Sequence, residues 1–372
     1  MRIVHVSDCY LPRTGGIESQ VSDLAAHQVA AGHEVHVLTA TLGAAGERGG
    51  VVDVVDGVHV HRLGARMPFA LPVTPSGPRL LRAAFREVKP DAVHVHAGVL
   101  SPFAYDGARI AMALNLPVAI TWHCMLDGVV GSLRAAVRLA GWDHAAAALS
   151  AVSSAAAGRV REVFEVPVSI VPNGMDLRLW TPAGADVRSG PVHLVSTMRL
   201  APRKRAVPLV ELVGAAAARL PVGSLRMTLI GSGPEQHRVE AQVRRSGLDG
   251  VVTLAGRLTR DEIRTAYADA DVFLAPAELE AFGIAALEAR ASGLAVVARR
   301  GTGIEEFVED GVDGLLAVDD DDMTEAVMRL MQDDGLLASI RSHNRSVRPA
   351  FDWDVVLAAA ESEYSRAAGL IR

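Results

Sequence analysis

Two glutamates stand eight positions apart around a Phe-Gly pair, in the stretch EAFGIAALEARASG at residues 280–293. Gly283 frees the backbone, and the residues that follow it are strong helix formers. The stretch therefore predicts a helix that begins beside Phe282. Glu280 is expected on the loop before this helix, and Glu288 about a turn and a half inside it.

The unpaired N–H groups at a helix N-terminus carry partial positive charge, which suits a phosphate group. Two carboxylates beside such a site repel phosphate and instead accept hydrogen bonds from hydroxyl groups. A diphosphate between two sugars, as in a nucleotide sugar, satisfies both demands. The same spacing also arises by chance, and a carboxylate at a helix start often does no more than complement the helix dipole.

Two cations, Arg199 and Lys204, follow a predicted strand and stand five residues apart. Ligands of open α/β sheets bind beyond the carboxyl ends of the strands, which is where these residues fall. A charged hydrogen bond to phosphate contributes about 1.5–3 kcal/mol net. We therefore predict that both residues clamp a phosphate, and we interpret Arg203 and Arg205 as surface charges.

Glycine turns follow two of the predicted strands, at Gly15-Gly16 and at Gly231. Backbone N–H groups at such a turn can approach a phosphate closely, although an ordinary tight turn explains Gly15-Gly16 equally well. Neither turn completes the dinucleotide fingerprint G-x-G-x-x-G, and the chain has no P-loop Gly-Lys-Ser/Thr. Nicotinamide-dependent and ATP-hydrolysing enzymes thus lose their main sequence support.

Three histidines are candidates for chemistry. His123 ends the apolar strand ITWH, a position more typical of a structural histidine than of a catalytic one. His94 and His96 alternate along one face of another strand, and without a third ligand nearby they do not predict a metal site. The acidic run at 319–322 is interpreted as a solvated helix start.

Strands and helices alternate along the chain, which predicts α/β structure with parallel sheets. Strands are expected at 2–8, 33–40, 58–63, 91–98, 117–123 and 149–154, and helices at 17–32, 78–89, 101–115 and 132–147. The pattern then restarts, with strands at 192–198, 225–233, 250–256, 271–276 and 295–299 and a helix at 206–219. We predict one domain at 1–172 and a second at 190–350, with a tail helix at 351–372 that packs back onto the first.

Composition limits the class of protein further. The length of 372 residues favours two domains. The net charge of −6 falls wholly in residues 171–372, so neither half is a basic body and a general nucleic-acid binder is not expected. Cys9 and Cys124 are the only cysteines and predict two buried, unpaired thiols in a reducing compartment.

The sequence shows no stretch of about 18 uncharged apolar residues, and the first strand begins too early to leave room for a signal peptide. A cytoplasmic protein is therefore expected. The segment PRLLRAAFREVK at 78–89 combines an apolar face with four basic residues. Such a helix can contact anionic lipid at the inner face of a membrane, but an ordinary packed helix is the favoured interpretation.

Taken together, these residues resemble the large family of retaining glycosyltransferases that includes bacterial phosphatidylinositol mannosyltransferases, the mycothiol-pathway N-acetylglucosaminyltransferase and sucrose synthase. The matching segments are Gly15-Gly16, 91–96, 121–123, 171–174, 199–204, 231–233, 280–288 and 303–311. The resemblance covers almost the whole chain. It implies the GT-B architecture, in which two Rossmann-like domains face each other across a cleft, with the acceptor on the first and the nucleotide sugar largely on the second.

The resemblance also implies roles for single residues. Arg199, Lys204 and the backbone of the Gly15-Gly16 loop would hold the diphosphate. The turn at Gly231 would belong to the donor site, and Glu288 would bind the ribose hydroxyls. The transferred sugar would be held by Glu280 and by the amides of Phe282 and Gly283, with His123 beside its reacting face.

The implied reaction is transfer of a hexose or N-acetylhexosamine, with retention, from a UDP- or GDP-sugar to an acceptor hydroxyl on a lipid-linked, saccharide or small molecule. No metal ion or cofactor is implied. The alternatives are an epimerase or hydrolase on the same fold and a catalytically silent sugar-nucleotide-binding protein. Three positions depart from the family pattern: Met198 and Arg205 stand where glycine is common, and Glu305 where proline is common.

Overall fold

The computed structural model describes residues 1–13, 15–65, 75–142, 145–182 and 190–371. The chain divides into two compact units. The first comprises Met1–Gly174 together with Phe351–Arg372, and the second comprises Met175–Ala350. The sequence placed the domain boundary between residues 172 and 190.

In the part of the chain that the structure describes, the first unit has an eight-stranded sheet. Its strands are β1 (Arg2–Ser7), β2 (Glu34–Thr39), β3 (Val51–Val55), β4 (Val58–Arg62), β5 (Ala92–Ala97), β6 (Val118–Trp122), β7 (Ala147–Ala151) and β8 (Ser169–Ile170). Their order is β3-β4-β2-β1-β5-β6-β7-β8, and only β3 and β4 pair antiparallel among these strands. The predicted parallel α/β sheet is confirmed.

The hairpin of β3 and β4 was not predicted in full, since β3 was missed. Its valines are largely exposed on an edge strand, so β3 lacks the apolar run of a buried strand. The hairpin turns at Asp56 and Gly57, both with positive φ. Asp-Gly is the usual sequence of such a two-residue turn and is the signal that could have identified β3.

Five helices connect these strands in the described residues: α1 (Gly16–Ala30), α2 (Gly77–Val88), α3 (Pro102–Ala113), α4 (Val130–Leu139) and α5 (Ser154–Phe164). The predicted strand at 149–154 ends three residues early. The reason is that Ser153 caps α5, where its side chain accepts a hydrogen bond from the N–H of Ala156. The predicted helix at 132–147 likewise ends at Leu139.

The second unit repeats the arrangement with a parallel sheet that has six strands among its described residues. The strands are β9 (Val192–Thr197), β10 (Leu225–Ile230), β11 (Val252–Gly256), β12 (Val272–Ala275), β13 (Ala295–Arg299) and β14 (Gly314–Ala317), in the order β11-β10-β9-β12-β13-β14. The helices are α6 (Ala206–Ala217), α7 (Gln236–Arg245), α8 (Arg260–Ala268), α9 (Ile284–Ala291), α10 (Asp320–Gln332) and α11 (Asp334–Ser346). Asp319 caps α10, so the acidic run is a helix start, as predicted.

The tail forms α12 (Trp353–Ala368), which packs on the first unit. Ala360, Tyr364 and Ala367 lie in one apolar cluster with Ile3 of β1 and Ala119 of β6. This face of α12 covers one side of the sheet, because its small residues allow the helix to approach the strands closely.

Two expectations about surfaces meet the structure here. The apolar face of α2 is buried, since Leu81 and Phe85 belong to the main core cluster of the first unit. Cys9 and Cys124 are unpaired, but both are half-buried rather than buried. Among the helices of the described residues, none is both long enough and apolar enough to cross a bilayer.

Candidate active site

The loop after β9 carries Arg199 and is held against the glycine turn after β10. The N–H of Leu200 donates to the carbonyl oxygen of Ser232 at 3.0 Å. A Cβ at Gly231 would overlap the carbonyl oxygen of Met198, and a Cβ at Gly233 would overlap that of Leu200. The glycines therefore let two backbones touch, and this contact fixes the loop from which exposed Arg199 projects.

Lys204 and Glu280 form an ion pair, so the structure brings together two of the predicted site residues. Nζ of Lys204 donates to Oε2 of Glu280, and the two side chains are 25% and 20% exposed. A carboxylate in contact with the ammonium group cancels its charge. A phosphate that reaches Lys204 must therefore share it with Glu280 or displace that carboxylate.

The loop that carries Glu280 rests on a glycine that the sequence did not assign to the site. The N–H of Gly303 donates to the carbonyl oxygen of Glu280 at 2.8 Å, and a Cβ at Gly303 would overlap the backbone of Ala281. Phe282 is buried, and its ring lies 5.5 Å from that of Phe307. These contacts position Glu280 at the carboxyl end of the sheet.

The helix predicted after Phe282 is α9, and Gly283 precedes it with a φ of 89°. A residue with a side chain rarely adopts this conformation, and a Cβ there would also lie 2.5 Å from Cγ1 of Ile304. The glycine is therefore required both by the backbone and by the close approach of Ile304.

Glu288 lies half-buried on α9, near the end of β9. Burial raises the pKa of Tyr267 well above its ordinary value, and the negative charge of Glu288 raises it further. The hydroxyl of Tyr267 donates to Oγ1 of Thr197 at 2.9 Å. Since Thr197 is the last residue of β9, Glu288 and Arg199 both lie near that strand end.

Arg205 is not a surface charge, contrary to the prediction. Its guanidinium contacts Glu278 at 3.0 Å and donates to Asp320, and its side chain is only 23% exposed. Its φ is 61°, a left-handed conformation that glycine adopts most easily. This conformation explains why glycine is common here in the family, and the ion pairs compensate for the strain. Arg203 is exposed, as expected.

In the first unit, the glycine loop has an acidic neighbour that was not anticipated. Gly15 is extended, Gly16 begins α1, and a Cβ at Gly15 would overlap the carboxylate of Glu18. Glu18 is buried and pairs with Arg13 at 3.2 Å. The N-terminus of α1, where a diphosphate was predicted, thus already has a carboxylate beside it.

His123 follows β6 and lines a pocket of the first unit. The pocket also includes Gln20, Thr121, Asn173 and Trp353. The side-chain amide of Gln20 accepts a hydrogen bond from the N–H of Gly174 at 2.8 Å and donates to its carbonyl oxygen at 2.9 Å. A Cβ at Gly174 would lie 2.7 Å from the Trp353 ring, so only glycine lets α12 close this wall.

Buried histidines extend from His123 into the core. Nε2 of His123 lies 3.0 Å from Nδ1 of His96, and Nε2 of His96 lies 2.9 Å from Nδ1 of His5. Burial lowers the pKa of His5 and of His123 to about 4, and it lowers those of His94 and His96 well below the ordinary value. A hydrogen bond with Asn173 opposes part of the shift at His123. These rings are therefore uncharged at neutral pH.

The sequence missed the third histidine that joins His94 and His96. His5 lies directly beside His94 in the parallel register of β1 and β5, and one ring nitrogen of each of the three lies within 4.8 Å of the others. Register between strands nearly 90 residues apart cannot be read from local sequence. The ring nitrogens of His5 and His94 have hydrogen-bond partners, as do both of His96, so the cluster is satisfied without an ion.

The predicted residues thus fall into two groups. The second unit holds Arg199, Lys204, Gly231, Glu280, Phe282, Gly283 and Glu288, which follow or adjoin the carboxyl ends of its strands. The first unit holds Gly15, Gly16 and His123.

Comparison with known proteins adds two family matches. A family model described as "Glycosyl transferases group 1" matches residues 191–333, and one described as "Glycosyltransferase Family 4" matches residues 14–179. Among curated proteins, the chain is 27% identical to a phosphatidylinositol N-acetylglucosaminyltransferase polypeptide of Arabidopsis thaliana, over 99% of this chain and 82% of the relative. It is 29% identical to a GDP-mannose-dependent alpha-mannosyltransferase of Mycolicibacterium smegmatis, over 85% of this chain and 84% of the relative.

Solved structures show the same fold. Sucrose-phosphate synthase from Thermosynechococcus elongatus superposes with a TM-score of 0.76 at 20% identity, covering 98% of this chain and 99% of that one. Anabaena HepE in complex with UDP-glucose gives 0.76 at 21% identity, covering 98% and 100%. The GT-B fold class expected from the sequence is confirmed.

Proposed function

The chain belongs to the glycosyltransferase family whose two domain models it matches, and from that premise we propose that it moves a hexose or N-acetylhexosamine from a UDP- or GDP-sugar to an acceptor hydroxyl. The observation that carries this proposal is the Lys204–Glu280 pair beside the braced loop of Arg199. It combines cations for phosphate with a carboxylate for sugar hydroxyls at one strand end. No metal ion or cofactor enters the proposal.

The second unit binds the donor in this proposal. Relatives differ in the nucleotide they use: the mycobacterial relative is named for GDP-mannose, whereas Anabaena HepE was solved with UDP-glucose. Arg199 and Lys204 recognise the diphosphate that both donors share. Glu288 accepts hydrogen bonds from the ribose hydroxyls, which both donors also share.

The proposed reaction retains the anomeric configuration. The bond from C1 of the sugar to the phosphate oxygen breaks through an oxocarbenium-like species, while Arg199 and Lys204 stabilise the charge that develops on the departing phosphate. The acceptor hydroxyl attacks the same face, and its proton passes to the leaving phosphate. Glu280 holds the sugar through its hydroxyl groups and forms no bond to C1.

The first unit takes the acceptor side, with His123 beside the reacting sugar. The Arabidopsis relative has phosphatidylinositol in its name, which keeps a lipid-linked acceptor among the candidates. Because the apolar face of α2 is buried, any membrane contact of this helix depends on its exposed Arg79, Arg82 and Arg86. Sedimentation with anionic liposomes tests this, and binding that does not weaken with salt would contradict an electrostatic contact.

Lysine chemistry offers a direct test of donor binding. Lys204 is one of two lysines in the chain, the other being Lys89 of the first unit. Reductive ¹³C-methylation therefore gives two lysine signals, and Lys204→Arg identifies one of them. Titration with UDP-glucose, GDP-mannose and ADP-glucose is expected to shift the Lys204 signal with the correct base while Lys89 stays unchanged. An unmoved Lys204 signal with all three donors would refute the donor assignment.

Product analysis separates transfer from the other reactions of this fold. With donor and an acceptor present, NMR of the anomeric carbon is expected to show a new glycoside with the configuration of the donor. Free sugar alone would indicate a hydrolase, and an inverted sugar centre on an intact nucleotide would indicate an epimerase.

A further inference from the structure

A continuous chain of side-chain hydrogen bonds runs through the first unit from His123 to Ser150. Its members, in order, are His123, His96, His5, Gln28, Tyr364, His94, Thr121 and Ser150, joined at 3.0, 2.9, 2.6, 2.8, 2.9, 2.7 and 2.8 Å. Every member except His123 is at most 3% exposed. Tyr364 brings α12 into the chain.

The direction of each hydrogen bond follows from Gln28. A neutral imidazole has one donor nitrogen and one acceptor nitrogen, so each ring transmits the direction that it receives. The carbonyl oxygen of Gln28 faces Nε2 of His5, which must therefore donate. Nδ1 of His5 then accepts from Nε2 of His96, and Nδ1 of His96 accepts from Nε2 of His123.

The other branch agrees with this assignment. The amide nitrogen of Gln28 donates to the hydroxyl of Tyr364, which donates in turn to Nδ1 of His94. Nε2 of His94 then donates to Thr121, and Thr121 to Ser150. The hydroxyl of Ser150 lies 3.3 Å from the carbonyl oxygen of Ile120, which can only accept. A carbonyl end thus fixes the same direction that the Gln28 amide sets.

We propose that Gln28 and Tyr364 are positioning residues that hold His123 as the Nε2–H tautomer, with Nδ1 unprotonated and able to accept a hydrogen bond. Reversal of the chain would require the Gln28 amide to turn and Ser150 to release Ile120. The last helix of the protein therefore determines the protonation pattern of a pocket residue. The consequence for turnover rests on the proposed function, in which His123 lies beside the reacting sugar.

Histidine ¹⁵N NMR tests the tautomer without any substrate. In the wild-type protein, His5, His94, His96 and His123 are expected as Nε2–H forms, with the His123 signal identified by its loss in His123→Gln. Tyr364→Phe removes the link between the branches, so that the Gln28 amide can turn. Signals of both tautomers are then expected for His123.

Tyr105→Phe is the matched control, because the Tyr105 hydroxyl bonds to the carbonyl oxygen of Gly98 and lies outside the chain. It is expected to leave the His123 tautomer and kcat unchanged. If the two tautomers of His123 become equally populated, Tyr364→Phe should lower kcat about twofold at constant KM for the donor, in proportion to the competent fraction.

Gln28→Glu gives a second readout should Tyr364→Phe fail to fold. A carboxylate accepts from both neighbours, so His123 should remain Nε2–H whereas His94 should switch to Nδ1–H. A wild-type His123 in the Nδ1–H form, a single unchanged tautomer in Tyr364→Phe, or a metal ion bound stoichiometrically by the histidines would overturn the proposal. A tautomer change without any effect on kcat would refute the positioning role alone, whereas a lack of glycosyl transfer in the wild type would refute the proposed function alone.

Discussion

The polar residues of the two units are built in opposite ways. In the second unit, Lys204, Glu280 and Arg205 are charged, paired and between 20% and 25% exposed. In the first unit, His5, His96 and the rest of their chain are neutral and almost fully buried. The arrangement in the second unit is suited to attract and release an anion, and that in the first is suited to hold one pattern of protons.

The physical reason lies in the cost of desolvation. A buried ion pair must regain the hydration energy of both charges, so a site that exchanges phosphate benefits from partial exposure. Neutral hydrogen bonds in a dry interior carry no such cost and polarise one another along a network. Substitutions in the second unit should therefore alter turnover, whereas those in the first should alter protonation and stability.

The largest expected effect comes from the cations. Arg199→Ala and Lys204→Ala should each reduce turnover about 10²–10³-fold, because each removes a preorganised charge from the departing phosphate. Steady-state kinetics and thermal unfolding measure the two consequences. Arg203→Ala, an exposed neighbour on the same loop, should behave like the wild type. Normal turnover in a folded Arg199→Ala variant would remove the basis of the assignment.

Gly303→Ala should act through position rather than charge. Its Cβ would overlap the backbone of Ala281 and so displace the loop of Glu280. A shift of about 1 Å can cost about 10²-fold in rate. Gly158→Ala is the control, because a Cβ there meets nothing within 4 Å. Equal kcat values for the two variants would show that the loop tolerates displacement.

The first unit should lose stability as the pH falls from about 6.5 towards 4. His5, His61 and His123 have pKa values lowered to about 4 by burial, so in this range the unfolded chain binds more protons than the folded one. Each such proton costs about 1.4 kcal/mol per pH unit. Asp8 acts in the opposite direction, since burial raises its pKa to about 6, but it contributes a single proton.

Hydrogen exchange at pH 7 and at pH 5.5, corrected for the intrinsic rate, resolves this effect by unit. Greater loss of protection is expected in β1, β5 and β6 than in the strands of the second unit. Equal loss in both units would contradict the role given to the buried histidines.

The smallest effect concerns Arg205. Arg205→Gly and Arg205→Ala both remove the contacts with Glu278 and Asp320, but only alanine retains a side chain at a φ of 61°. The glycine variant should therefore be more stable than the alanine variant by about 1 kcal/mol, measured by urea unfolding. The reverse order would mean that the loop relaxes out of the left-handed conformation.

Much of the fold could be predicted because parallel strands are buried on both faces and appear as continuous apolar runs. This is why β1, β5 and β9 were located within one or two residues. The exposed edge strand β3 has no such run and was missed. The residues from Glu280 to Glu288 were recognised for a similar reason, since a loop and the helix that follows it are contiguous in sequence.

The sequence alone determined the α/β class, the order of the strands along the chain and the identity of the charged residues at the strand ends. Only the tertiary structure decided which residues share an environment: that His5 joins His94, that Tyr364 returns from the tail to reach both Gln28 and His94, and that Arg205 is paired rather than solvated. Local patterns reflect burial and backbone preference, which act over a few residues. Ion pairs and proton positions depend on distances across strands and helices far apart in the chain, and packing alone fixes those distances.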